Sequence, residues 1–310
     1  MDGPPGRLVN IGTHALHITC RGTGSPAVIF DAALGASSVS WILVQPEVAR
    51  ITRACAYDRA GFGWSEAGPL PRTAGRVATE LRELLQRAGI PPPYLLVGHS
   101  FGGLVMRAFA ARYRSETAGL VLLDPAHPEE WLEPAGHQRQ QIERGVRLCR
   151  YGAAAARLGL ARVVARLVRL GALGPARAAV GIISRGGLRR EDEEILAPIW
   201  KLPPEARRPL ARFWTEPKFY DALGSQIASI GQSAQEVASL PDEAYRDLPL
   251  TTVSSAAAGP DRLRWQERLA QRSAYGRHVV ATDSGHWIPL DQPAIVVDAI
   301  VAMLQTIRGG

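Results

Sequence analysis

Six short apolar runs, Ala27 to Phe30, Arg53 to Tyr57, Tyr94 to Val97, Leu120 to Leu123, Leu250 to Ser254 and His278 to Ala281, are almost free of polar alternation. A strand with one wet face alternates, whereas strands without alternation suit a parallel sheet covered by helices on both faces. Helical stripes lie between the runs: Val77, Leu81, Leu84, Leu85 and Ala88 form one, and Ile295, Val296, Ile300, Met303, Leu304 and Ile307 form the last. Strand and helix repeating at this spacing predict an α/β protein with a doubly wound, mostly parallel sheet. The opening stretch, Arg7 to Cys20, carries turn signals at Asn10-Ile11-Gly12 and reads as a hairpin.

The alternation is interrupted once. Residues 126–247 hold helix-compatible segments broken at Gly171, Gly174-Pro175, Gly186-Gly187, Pro203-Pro204 and Pro217, and no convincing strand. This predicts a core of residues 1–125 and 248–310 and an all-helical cap of residues 126–247. Trp131, Trp200, Phe213, Trp214, Phe219 and Tyr220 mark the ends and second half of that cap. The net charge of +7 is concentrated between Gly136 and Arg190, where twelve arginines face one acidic residue, Glu143. The first reading of that segment is a solvated helical face, with attraction to an anionic substrate or a membrane surface behind it. Nucleic-acid binding is not expected, because no recognised module accompanies the charge. The first residues lack an apolar signal region and no stretch reaches the roughly 18 apolar residues of a membrane span, so a cytoplasmic address is the expectation. Cys20, Cys55 and Cys149 are odd in number and scattered, which predicts buried small hydrophobes rather than a disulfide framework or a zinc site.

Within this frame, Gly98-His99-Ser100-Phe101-Gly102 is a G-x-S-x-G pentapeptide directly after one apolar run and directly before a helical pattern, Leu104, Val105, Ala108, Phe109 and Tyr113. The context makes it a nucleophile elbow, a sharp turn that holds a serine hydroxyl where a base reaches it.

With Tyr57-Asp58-Arg59-Ala60-Gly61-Phe62-Gly63-Trp64-Ser65, Asp31-Ala32-Ala33-Leu34-Gly35 and Ser284-Gly285-His286-Trp287, the chain resembles the α/β-hydrolases that carry a helical cap, from Asn10 to the C-terminus apart from the cap. The resemblance implies that Ser100 is the nucleophile and that His286, in the loop after the last strand, is the base. It also implies an oxyanion hole from the backbone amides of Ala33 and Phe101. The loop after Leu250 to Ser254, where the family commonly places its triad acid, offers alanine at the expected position. Asp124, at the end of the strand before the cap, is the first choice of acid, with Asp261 and Asp283 as alternatives.

The activity implied is that of a serine hydrolase acting on a small hydrophobic acyl ester through an acyl-enzyme, with no cofactor and no metal. Lactone, carbon-carbon or amide hydrolysis and perhydrolysis use the same residues, and a non-catalytic ligand-binding relative keeps the same fold. His127 and His137, at the cap entrance, are expected to face solvent. The sequence leaves the oligomeric state open.

Overall fold

The computed structural model describes residues 4–169 and 201–309. Gly171, Gly174-Pro175, Gly186-Gly187, Trp200 and the Arg177 to Arg190 end of the basic segment lie outside the described residues. Eight strands form one sheet: β1 Arg7–Asn10, β2 Ala15–Arg21, β3 Ala27–Asp31, β4 Ala54–Tyr57, β5 Tyr94–His99, β6 Thr117–Leu123, β7 Leu250–Ser255 and β8 Gly276–Ala281. Their order is β1-β2-β4-β3-β5-β6-β7-β8. The hairpin pairs Asn10 with Ala15, β2 runs antiparallel to β4, and every later pairing is parallel.

Every residue of β3, β4, β5 and β7 is buried; β3, β4 and β5 are apolar almost throughout, as burial on both faces favours, while β7 also buries Thr251, Thr252, Ser254 and Ser255. Side chains nonetheless alternate between two layers. Val28, Phe30, Leu95, Val97, Val121 and Leu123 meet Trp41 and the apolar stripe of the C-terminal helix, Val296, Ile300, Met303 and Leu304. Ile29, Leu96, Leu120 and Leu122 meet α1 (Ala74–Arg87) and α2 (Phe101–Arg112) on the other side. Leu81, Leu84 and Leu85 of α1 are each 0% exposed, worth about 2 kcal/mol apiece in apolar burial.

Between β6 and β7 the described residues form helices and no strand. The longer ones are α3 Gly136–Arg157, α4 Leu160–Arg169, α5 Pro204–Phe213, α6 Pro217–Ala228 and α7 Ile230–Ala238. Both α5 and α6 begin at the prolines that the sequence marked as breaks, since a proline in a first turn lacks only an N–H that has no helical partner. The last two long cap helices are strapped to the core through the buried start of α1. Its first amides, on Ala74 and Gly75, donate to Ser233 Oγ (3.0 Å) and Glu236 Oε2 (2.7 Å), and the Arg72 amide donates to Ser225 Oγ (3.0 Å). Helix starts leave such donors unpaired, so the cap fills a need that the core alone leaves open.

Two cysteines depart from expectation. Cys20 and Cys55 stand opposite one another across the β2–β4 ladder and form a disulfide, while Cys149 is free and buried. Their separation of 35 residues has no motif spacing, and only the antiparallel register brings them together. Such a bond fits an oxidising compartment better than the cytoplasm expected above. No helix among the described residues is long and apolar enough to cross a membrane.

Candidate active site

The end of β5 turns sharply into α2 at Ser100, whose φ of 55° and ψ of −117° are costly for a residue with a side chain. The turn is held from both sides. Ser100 N–H donates to Leu123 O at 3.0 Å, and Ser100 O accepts from Gly103 N (2.9 Å) and Ala126 N (3.0 Å). A Cβ on Gly98 would stand 2.5 Å from Gly102 O, so the pentapeptide needs glycine there for close approach. The strain therefore lifts one hydroxyl at the C-terminal edge of the sheet, beside the end of β6.

That neighbouring end carries Asp124, itself at φ 38° and tied to β7 by its amide (Val253 O, 2.7 Å). Asp124 Oδ2 lies 2.5 Å from His286 Nδ1 and Oδ1 accepts from Gln266 Nε2 at 2.7 Å. Arg262 adds a guanidinium 3.8 Å from Oδ2 and reaches Glu130 Oε1 at 3.0 Å with its Nε. Burial works against the Asp124 charge. The His286 hydrogen bond, Arg262 and the Gln266 amide outweigh it and hold the carboxyl down to about 2. The carboxylate is 1% exposed and the His286 side chain 32%, so the pair is sealed on the acid side and open on the base side. A carboxylate at Nδ1 fixes the proton there and leaves Nε2 as the basic nitrogen.

His99 packs its ring 4.9 Å from that of His286 and 5.2 Å from that of Trp287, and its Nε2–H donates to His286 O at 2.7 Å. Burial, followed by the neighbouring His286, pushes its imidazole down to about 3. A histidine kept neutral in this way braces the His286 loop. Asp261 pairs instead with Arg264 on the exposed first turn of α8 (Pro260–Gln271), and Asp283 bonds Thr282 and Gln292 at the surface.

Ala33 follows β3, whose Asp31 is in register with Gly98. Here Arg59, 2% exposed, acts as an anchor: Nε donates to Asp31 Oδ1 (2.8 Å), Nη1 to Ala33 O (3.2 Å) and Nη2 to Ala32 O. In a trans peptide the N–H opposes the preceding C=O, so holding Ala32 O aims the Ala33 amide away from the guanidinium. Neither Ala33 N–H nor Phe101 N–H has a backbone partner in the described turns and caps. Burial raises the Asp31 carboxyl, and the Arg59 charge works against that rise. Asp58 secures the same turn by accepting from the amides of Ser38 (2.7 Å) and Trp64 (3.0 Å) and from His17 Nδ1 (2.9 Å).

Over this edge the cap contributes aromatic rings. Phe213 meets Trp64 edge-on at 4.8 Å and Phe219 meets Phe62 at 5.8 Å, while Lys218 Nζ donates to Ser65 O at 2.7 Å. His137 faces solvent as expected. His127 does not: it is 4% exposed, bonded to Glu129 (3.0 Å) and stacked on Trp265, because the turn before the cap folds back onto α8.

The sequence drew no attention to Gln266 or Arg262, and marked Arg59 and His99 only as members of their motifs. Position x of G-x-S-x-G and the adjacent Asp58-Arg59 are the sequence signals for His99 and Arg59; Gln266 and Arg262 carried none.

The sequence pattern that describes the alpha/beta hydrolase fold matches residues 26–170. An uncharacterized protein of Bacillus subtilis (strain 168) is 36% identical over 106 residues, which are 34% of this chain and 42% of that protein. The chain spans less than half the length of the curated relatives it matches. Among solved structures, a thermophilic esterase from Thermogutta terrifontis superposes with a TM-score of 0.65 at 21% identity, over 97% of this chain and 99% of that one. A putative epoxide hydrolase from Pseudomonas aeruginosa gives 0.69 at 17% identity, over 100% and 98%. At such identities the likeness concerns the fold. With an eight-stranded, mostly parallel sheet, flanking helices and a helical insertion after β6, the chain has the α/β-hydrolase fold.

Proposed function

We propose that the protein is a serine hydrolase that cleaves carboxylic esters. The observation that carries this reading is the 2.5 Å pairing of Asp124 with His286 on the same sheet edge as the strained Ser100 turn. His286 Nε2 takes the Ser100 proton as Oγ attacks the acyl carbon, and Asp124 steadies the imidazolium without accepting its proton. The amides of Ala33 and Phe101 receive the oxyanion. Collapse releases the alcohol with the proton from His286. Water, deprotonated by the same nitrogen, then hydrolyses the ester on Ser100.

A serine nucleophile also weighs between the activities found on this fold. Attack on an epoxide would leave an ether on Ser100, which water does not cleave, whereas attack on an acyl carbon leaves an ester, which it does. The aromatic seam between Phe62, Trp64, Phe213 and Phe219 favours an apolar acyl group.

The test is turnover of p-nitrophenyl esters together with mass-spectrometric mapping of a fluorophosphonate adduct. The expected results are a stoichiometric adduct on Ser100 and a loss of several orders of magnitude in kcat for Ser100→Ala and His286→Ala, since triad members act as a unit. Near wild-type turnover by folded Ser100→Ala rules the reading out.

A further inference from the structure

Gln266 is 0% exposed, and its side chain lies between Asp124 and β7. The hydrogen bonds around it admit one polarity. An ionised Asp124 Oδ1 only accepts, so the end of the amide facing it at 2.7 Å is the NH₂ and the end facing Ser254 is the carbonyl oxygen. Gln266 Oε1 lies 2.5 Å from Ser254 Oγ and must receive its only proton. Ser254 Oγ can then only accept from its other neighbour, His278 Nε2, at 2.7 Å, which makes that nitrogen the protonated one. Donation runs from His278 to Ser254 to Gln266 to Asp124, where it meets the opposing donation from His286. Thr252 Oγ1 donates to Gln266 O at 3.0 Å and fixes the backbone of α8 to the same strand.

We infer that Gln266 is a positioning residue for Asp124, held in one orientation by Ser254 and His278, so that a single carboxylate oxygen faces His286 Nδ1. Without the amide, Oδ1 is a buried charged acceptor with no hydrogen bond, and the broad, two-fold χ2 torsion of aspartate is restrained only at Oδ2, by His286 and Arg262. The inference rests on the ester-hydrolase reading for its kinetic consequence but not for its geometry.

Gln266→Met keeps length and volume while removing donor and acceptor; Ser254→Ala keeps the amide but frees it to turn. Both are compared with the wild type by kcat and KM on p-nitrophenyl acetate, and by NMR of the His286 Nδ1 proton and its exchange with water. Gln266→Met is expected to lower kcat roughly tenfold, the scale of one lost hydrogen bond to a charged group, with KM within about twofold. It should also shift the Nδ1 proton resonance and quicken its exchange. Ser254→Ala moves both readouts in the same direction by less. A folded Gln266→Met protein with wild-type kcat and an unmoved resonance overturns the assignment; should that variant not fold, an unmoved resonance and kcat in Ser254→Ala do so. If the wild type turns over no ester, or Ser100→Ala is as fast, the ester reading fails and the resonance alone decides the role of Gln266.

Discussion

Asp124 keeps its charge at 1% exposure because donors surround it, and this gives each neighbouring side chain a distinct signature on substitution. Asp124→Asn preserves shape but presents His286 with an uncharged partner that favours the wrong tautomer, so kcat should fall by up to about 10⁴-fold. Asp261→Asn removes a charge from the exposed start of α8 and should leave turnover within about a few-fold, with a stability change of roughly 0.3 to 1 kcal/mol. Steady-state kinetics on both variants check the choice of acid, and a reversal of the two results would transfer the role to Asp261. His99 supplies a pH test. Its folded value, about 3, lies below the ordinary 6.5, so the unfolded chain binds the extra proton between the two. The stability due to the neutral ring is therefore complete above 6.5 and is lost as pH falls towards 3. Urea unfolding across this window should show His99→Gln flattening the pH dependence by up to about 1.4 kcal/mol per pH unit, one proton's worth. An unchanged slope would mean that His99 is protonated in the fold.

At the scale of elements, the β2–β4 ladder combines a cross-strand disulfide with a link to the site, because β4 runs directly into Asp58 and Arg59. Closing a 35-residue separation restricts the unfolded chain by about 3 to 4 kcal/mol on the loop-entropy account. Reduction, or Cys20→Ser with Cys55→Ser, should lower the denaturation midpoint accordingly. Thiol titration in denaturant is the companion measurement: one reactive thiol before reduction and three after. Three before reduction would show that the bond does not form. α1 illustrates a different dependence between elements, since Thr73 Oγ1 caps its Arg76 amide at 3.3 Å while cap residues serve the two amides before it. Secondary structure and insertion are thus coupled at one helix terminus.

Across the whole molecule, the proposed chemistry belongs to the sheet edge and the acyl group is expected to lie against the cap seam. Phe213→Ala and Phe219→Ala should lower kcat/KM for long-chain p-nitrophenyl esters far more than for the acetate, since they remove contact surface and leave the triad intact. Equal losses across the series, in folded variants, would separate the seam from the acyl site. Gly61 marks how tightly the seam closes: at φ 88° a Cβ there would come within 2.3 Å of Ala222 Cβ, so Gly61→Ala should displace α6. The described part of the basic segment places Leu158 (76% exposed), Leu160 (46%) and Val163 (56%) beside arginines on the outer surface.

The inner strands β3 to β6 were legible because burial on both faces leaves a mostly apolar run, and the elbow because glycine spacing and the switch from strand to helix are local. Ser100 and Asp124 directly follow β5 and β6 and His286 lies in the loop after β8, positions that the family resemblance made candidates. Pairings between distant residues could not be read. Cys20 meets Cys55 only through the antiparallel register of β2 on β4, and Arg59 reaches Ala32 and Ala33 only because β3 and β4 are neighbours. Gln266 reaches Asp124 across 142 residues of sequence because α8 packs over β7. Periodicity and turn chemistry act over a few residues and are written in the chain; which polar group satisfies which buried charge depends on strand order and helix packing, and the tertiary structure alone decides it.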